Sequence, residues 1–339
     1  MSRVYLDYNA TAPLRPEARE AMVAAMDVVG NPSSVHGEGR AAKALVERAR
    51  GQVAAAVGCT PQEVVFTSGA TEAASVLSGF GTVEVQATAH DALWAHQAPG
   101  EDGPEIRAMG LANSETGIVT QPGTGEGLLL LDITQAVGRL PFSFAWSGAD
   151  MAVMSAHKLG GPKGIGALIV KQGVDILALS LGGGQEMGRR SGTENIIGIA
   201  GFGAAAEAAQ RDLADGAWDR VKKLRRILEN AIEESAPATI FVGKSEDRLP
   251  NTSCFITPGW KGETQVMAMD LAGFAISAGS ACSSGKVKAS RVLAAMGFDE
   301  VQAASAVRVS LGPDTSEDDV VAFAQAWARQ HEKFRARAA

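Results

Sequence analysis

The run Met151-Ala-Val-Met-Ser-Ala-His-Lys-Leu-Gly-Gly-Pro-Lys-Gly-Ile-Gly-Ala-Leu-Ile-Val170 constrains this chain more than any other. Its first four residues are apolar without alternation, which predicts a strand buried on both faces. That strand delivers Ser155, His157 and Lys158 to its end. A glycine-rich turn follows, and then a second apolar run from Ala167 to Val170. An ammonium group at a buried strand end is costly unless something neutralises it. Bonding to an aldehyde as an imine is one good solution.

Similar apolar runs recur along the first two-thirds of the chain. Val64 to Phe66, Val83 to Val85 and Leu128 to Leu131 read as further buried strands. Between them, Gly39 to Val57 carries apolar residues at helical spacing, and Gly58 supplies a stop signal. Alternating strands and helices predict an α/β fold with a mostly parallel sheet covered by helices. Ligands in such folds sit at the carboxyl ends of the strands, where Asp132 and Lys158 fall.

A long helix from about Trp218 to Glu234 leads out of this domain. Short strands then interleave with helices: Thr239 to Val242, Thr252 to Ile256, Phe274 to Ile276 and Val307 to Val309, with helices near Thr264 to Leu271 and Ala289 to Met296. A last helix opens at Thr315-Ser316, with Glu317, Asp318 and Asp319 in its dipole-favoured first turn. With 339 residues the chain has room for two domains. The expectation is a large α/β domain over residues 13–215 and a smaller α+β domain over 1–12 and 216–339.

Composition narrows the function. A net charge of −7 gives no reason to expect nucleic acid or an acidic membrane surface as partner. No apolar run approaches the ~20 residues of a membrane span. The start of the chain has no signal-peptide shape, and Cys59, Cys254 and Cys282 do not make a disulfide framework. A cytoplasmic protein is expected. No metal-ligand set stands out.

The chemistry-bearing residues fall into three groups. Lys158 with Asp132 is the pair that pyridoxal phosphate (PLP) needs: an amine for the aldehyde and a carboxylate for the pyridinium nitrogen. Phe66-Thr-Ser-Gly-Ala-Thr-Glu72 leaves a strand and turns at glycine into a helix, which suits a phosphate, with Thr71 adding a hydroxyl. The alternative is a plain strand-turn-helix capped by Thr71. His90 follows a strand and could stack on a pyridine ring, although lone loop histidines are more often inert. Gln135 could reach the cofactor's phenolic oxygen, and Ser155 and His157 its phosphate. Finally, Cys282 lies in Gly279-Ser-Ala-Cys-Ser-Ser-Gly-Lys286, with Lys288 beyond, where cations favour thiolate. It is either a nucleophile or an exposed spectator; Cys59 and Cys254 look structural or incidental.

Taken in order, these segments resemble the cysteine desulfurases of the class V aminotransferase group, of PLP fold type I. The landmarks are Tyr5-Leu-Asp-Tyr-Asn-Ala-Thr11, Gly30-Asn-Pro-Ser-Ser-Val-His36, Thr67-Ser-Gly-Ala-Thr-Glu72, Asp132-Ile-Thr-Gln135, Ser155-Ala-His-Lys158, Arg190-Ser-Gly-Thr193 and Gly279-Ser-Ala-Cys282. The resemblance implies that Lys158 carries the cofactor and shuttles protons. Asp132 would hold the ring nitrogen protonated, His90 stack on the ring and Gln135 contact its phenolic oxygen. Ala70, Thr71, Ser155 and His157 would bind the phosphate, and Thr193 would reach the phosphate of a neighbouring subunit in a homodimer. Arg308, assisted by Asn9, would pair with the carboxylate of L-cysteine. Cys282 would take the sulfur as a persulfide, leaving L-alanine, from a long loop that suits delivery to an acceptor such as an iron-sulfur scaffold.

Two departures stand out. Ala112-Asn-Ser-Glu-Thr-Gly117 places Ser114 where the group usually has a ring-contacting asparagine. The stretches from His90 to Asn113 and from Gly117 to Asp132 are also short, so at least one helix-strand element should be missing. Rival expectations are a selenocysteine lyase or other PLP β-lyase, which would not need Cys282, and a non-catalytic PLP-fold assembly subunit.

Overall fold

A computed structural model describes residues 3–101, 103–279 and 290–338. The chain divides into two compact units. The smaller comprises Met1–Ala10, Asn113–Val119 and Asp215–Ala339, and the larger Thr11–Ala112 and Thr120–Ala214.

After β1 (Val4–Tyr5), which belongs to the smaller unit, the larger unit begins with α1 (Pro16–Met26) and α2 (Gly37–Val57). Pro16 suits a first helical turn, and Gly58 ends α2 in the left-handed conformation at φ 67°. Then come β2 (Val64–Thr67), α3 (Ala70–Ala74), β3 (Val83–Val85), α4 (Asp91–Trp94), β4 (Ile106–Gly110), β5 (Leu128–Asp132), β6 (Met151–Ser155), β7 (Gly166–Val170) and α5 (Ile196–Ala214). The strands form one sheet in the order β2-β7-β6-β5-β4-β3. Strands β3 to β6 run parallel, and β7 is antiparallel to both of its neighbours.

Side-chain alternation decides what covers the sheet. Val65, Leu130, Met151, Val153 and Leu168 pack on one face with Ala73, Leu77 and Leu93, from α3, α4 and the turn between them. Phe66 points the other way and meets Phe202 of α5 edge-on, ring centres 6.2 Å apart. Helices α1 and α2 pack against α5. Completely burying each such leucine or phenylalanine contributes about 1.5–3 kcal/mol.

Strand β4 and helices α1 and α5 were not resolved as elements from sequence. The first half of the Gly- and Ala-rich α5 is buried all round, Gly198 to Gly203 in succession, so it shows no polar stripe there for periodicity to find. Among the described residues, the β3–β4 connection carries only the single turn of α4, and the β4–β5 connection carries no helix.

That second connection also corrects the expected domain boundary. Residues 113–119 belong to the smaller unit rather than to the large domain. Val119 N–H donates to Asp247 O (2.8 Å) and Leu249 N–H to Gly117 O (2.7 Å), so the segment pairs as a strand would. At Gly117 (φ 76°) a Cβ would lie 2.7 Å from Thr252 Cβ, which excludes a larger residue.

The rest of the smaller unit comprises α6 (Ala217–Ser235), β8 (Ile240–Phe241), β9 (Thr252–Ile256), α7 (Gly262–Leu271), β10 (Phe274–Ala275), β11 (Ser277–Ala278), α8 (Arg291–Ala295), α9 (Glu300–Ala304), β12 (Ala306–Ser310) and α10 (Glu317–Ala338). A four-stranded sheet runs β11-β12-β9-β8, and β1 pairs with β10. Phe255, Trp260 and Trp327 form an aromatic core tied by Trp327 Nε1–H to Gln265 Oε1 at 3.1 Å. Among the described residues, no helix is long and apolar enough to cross a membrane.

Candidate active site

The larger unit collects most of the expected cofactor residues along one edge of its sheet. Asp132 is the last residue of β5 and lies opposite Gly110 of β4 and Val153 of β6. Its Oδ1 accepts the N–H of Thr134 at 2.9 Å, so the carboxylate nucleates the turn that carries Gln135. Ser155 closes β6 and is followed by a short 3-10 turn, Ala156 to Lys158. Lys158 is half-buried there.

The strand register brings the glycine turn to the same edge. Thr67 lies opposite Gly166, and Gly166 opposite Ser155. A Cβ on Gly166 would fall 2.5 Å from Met154 O and 2.6 Å from Gly69 Cα, so only glycine allows this approach. A Cβ on Gly69 would stand 3.7 Å from Ser155 Oγ, inside the recess between the turn and Ser155. Ala70 and Thr71 open α3 directly beyond. Ser155 Oγ thus faces the turn at Gly69, and Thr71 is exposed in the first turn of α3.

His157 Nδ1 lies 3.2 Å from Thr11 Oγ1. Burial, then the charges of Lys158 and Lys163, push its pKa down to about 4. In the cofactor-free chain the ring is therefore neutral at pH 7 and keeps one N–H to donate. Glu72 accepts from Ser68 N–H (2.6 Å) and Arg190 Nε–H (2.9 Å). Burial alone would raise its pKa, but the bonds from Arg190 and Ser68 outweigh that and lower it. The pair ties Arg190-Ser-Gly-Thr193 to the glycine turn, and Thr193 itself is exposed. The same segment is anchored by Glu186, whose buried carboxylate grips Arg50 at 2.7 and 2.8 Å while its backbone is held at φ 49°.

His90 caps α4, with Nδ1 accepting from Ala92 N–H at 3.1 Å. Gln86, four residues earlier, accepts Gly110 N–H at 3.1 Å and so ties this loop to the end of β4. Gln135 is buried, with Oε1 accepting from Arg139 at 2.6 Å. Arg139 went unnoticed in the sequence; its signal was a lone charge four residues after Gln135, inside an apolar stretch.

In the smaller unit, Arg308 occupies the middle of β12, with its side chain 7% exposed. One terminal nitrogen donates to Asp7 Oδ1 at 2.7 Å and the other to Ser114 O at 3.1 Å. Its Nε is buried without a hydrogen-bond partner among the described residues, a donor suited to a further carboxylate. Asn9 donates to Ser114 O (3.1 Å) and Thr252 Oγ1 (2.9 Å) and accepts from Asn251 (3.1 Å). Its amide therefore supports the surroundings of Arg308. The carbonyl of Ser114, not its side chain, is what Asn9 and Arg308 use. Asp7 and Ser277, which donates to Asp7 Oδ2 at 2.8 Å, were also missed.

Cys282 lies outside the described residues. The thiols of Cys59 and Cys254 are pushed up to about 12, chiefly by burial and then by Glu63 and Glu115 respectively, so neither is poised as a thiolate.

A lysine and a carboxylate at one sheet edge, beside a glycine turn that faces the Ser155 hydroxyl and opens a helix, fit pyridoxal phosphate. The fold and donor set define a PLP enzyme of fold type I. The class-V aminotransferase family matches residues 4–88 and 108–323, leaving His90 in the unmatched stretch. A cysteine desulfurase of Frankia sp. (strain EuIK1) is 38% identical, over 96% of this chain and 90% of its own. A cysteine desulfurase of Cereibacter sphaeroides is also 38% identical, over 94% of this chain and 93% of its own. Among solved structures, the NifS-like protein of Rickettsia africae ESF-5 superposes with a TM-score of 0.90 at 30% identity, covering 97% of this chain and 99% of that one. This chain belongs to the class-V aminotransferase family, with the cysteine desulfurases. The Frankia alignment runs over 383 positions, more than the 339 residues present here, so parts of that relative have no counterpart in this chain.

Proposed function

We infer that this chain is a PLP-dependent cysteine desulfurase that removes sulfur from L-cysteine and leaves L-alanine. The observation that carries this reading is the single sheet edge holding Asp132, Ser155, the Lys158 turn and the Gly69 turn. When bound, pyridoxal phosphate draws into its ring the electron pair released at the substrate's α-carbon. Lys158 Nζ attaches the cofactor and moves the α-proton. Asp132 keeps the proton at the ring nitrogen, and His90 stacks on the ring. Gln135 donates to the ring oxygen. Ala70, Thr71, Ser155 and His157 hold the phosphate, and Thr193 of a neighbouring copy completes it in a homodimer. Arg308 takes the substrate carboxylate, held in place by Asn9 and by the carbonyl of Ser114. The Cys282 thiolate attacks the substrate sulfur. The C–S bond breaks, an S–S bond forms, and a persulfide remains on Cys282.

The acceptor of that sulfur is a protein, such as an iron-sulfur scaffold. A cytoplasmic setting agrees with Cys59 and Cys254 being free thiols. The test is sulfide and alanine release from L-cysteine by PLP-loaded protein under reducing conditions, beside Cys282→Ala. Turnover in the parent and loss of at least a hundredfold in the variant are expected. Equal turnover in both would replace this reading with a direct β-lyase. No turnover in either, with cofactor bound and an acceptor protein supplied, would leave a non-catalytic subunit.

A further inference from the structure

We propose that Arg139 is a positioning residue that fixes the Gln135 amide and the Lys158 turn as one unit, and so sets the proton affinity at Lys158 Nζ when cofactor is bound. This rests on the PLP reading above. Arg139 is 3% exposed and Gln135 4%, so their contact is sheltered from water. A guanidinium only donates, so the amide atom facing it is Oε1, at 2.6 Å. Nε2–H is thereby the end turned away from Arg139. A buried positive charge on the oxygen also polarises the amide and makes Nε2–H a stronger donor. The other terminal nitrogen of Arg139 donates to the backbone carbonyl of Lys158 at 2.9 Å. One side chain therefore sets both the donor meant for the ring oxygen and the turn that bears the amine.

Losing an oriented donor leaves the ring oxygen a better acceptor for the proton at Lys158 Nζ, so that proton is held to higher pH. The experiment is a pH titration of the visible absorption of PLP-loaded protein without substrate, for the parent, Arg139→Met, Arg139→Lys, Gln135→Ala and the Met/Ala double variant. Arg139→Met is expected to raise the midpoint by about half to one pH unit, the equivalent of one hydrogen bond. Gln135→Ala should shift it the same way, and the double variant no further than Gln135→Ala alone. Arg139→Lys, which keeps the charge but has a single donor nitrogen, should fall between parent and Gln135→Ala; it carries the test if the Met variant fails to fold. A parental midpoint in Arg139→Lys and Arg139→Met, with only Tm lowered, would overturn the proposal, as would additive shifts. A parent whose visible band survives Lys158→Ala would instead overturn the PLP reading itself.

Discussion

The cofactor edge of the larger unit and the Arg308 corner of the smaller unit are built in opposite ways. Along the edge, main-chain register does most of the placing. Thr67, Gly166 and Ser155 line up because three strands pair, and Asp132 stands where β5 ends. In the corner, side chains place one another. Arg308 is fixed by Asp7 and the Ser114 carbonyl, Asp7 by Ser277, and Asn9 by Thr252 and Asn251. A site hung on strand ends should tolerate loss of a functional side chain without unfolding. A site held by a buried polar network should not.

Arg308→Leu makes the largest break in that comparison. It would leave the Asp7 carboxylate, which is 16% exposed, without its cation. We expect a loss of about 3–5 kcal/mol in urea unfolding, together with a KM for L-cysteine raised at least tenfold in whatever protein folds. Lys158→Ala, at the half-buried end of a turn, should cost less than about 1 kcal/mol while abolishing the visible cofactor band. If both variants lost the same stability, the contrast between strand-end and network construction would be wrong.

His157 gives a smaller, pH-dependent test of the edge. Its folded pKa of about 4 lies below the ~6.5 of an unfolded histidine, so the unfolded chain binds the extra proton between those values. Stability conferred by the neutral ring is complete above about pH 6.5, declines as pH falls toward 4 and changes no further below that. Because the ring is only partly buried, the decline should be about 1–2 kcal/mol after screening. Unfolding of cofactor-free parent and His157→Asn at pH 7.5 and 4.5 isolates it. The parent should lose that much more than the variant on acidification, and equal losses would mean that the ring is not desolvated.

The same contrast explains what could be read in the sequence. Strand ends are legible because an apolar run announces the strand and its last residues announce the edge: Met151–Ser155 and Leu128–Asp132 emerge nearly to the residue. The corner is not legible, because its contacts join residues hundreds of positions apart with no periodicity linking them. Asp7 and Arg308 are 301 apart, and nothing local marks Asp7 as an ion-pair partner. Residues 113–119 were misassigned for the same reason. Their partners at Asp247 and Leu249 are long-range backbone pairings, invisible to any local window.

Ser114 sharpens the comparison at its finest point. In sequence it stands out as a departure, a serine where an asparagine is usual. In the structure its carbonyl accepts from both Asn9 and Arg308, a service any residue provides. The Asn113 side chain shapes the turn around it, accepting the N–H groups of Glu115 and Thr116 at 2.9 Å each. Ser114→Asn should therefore change stability by less than about 0.5 kcal/mol and KM by less than threefold, measured by urea unfolding and initial rates. A several-fold rise in turnover would mean that the side chain at 114 acts on the cofactor. The corner would then carry chemistry of its own, rather than only holding Arg308 in place.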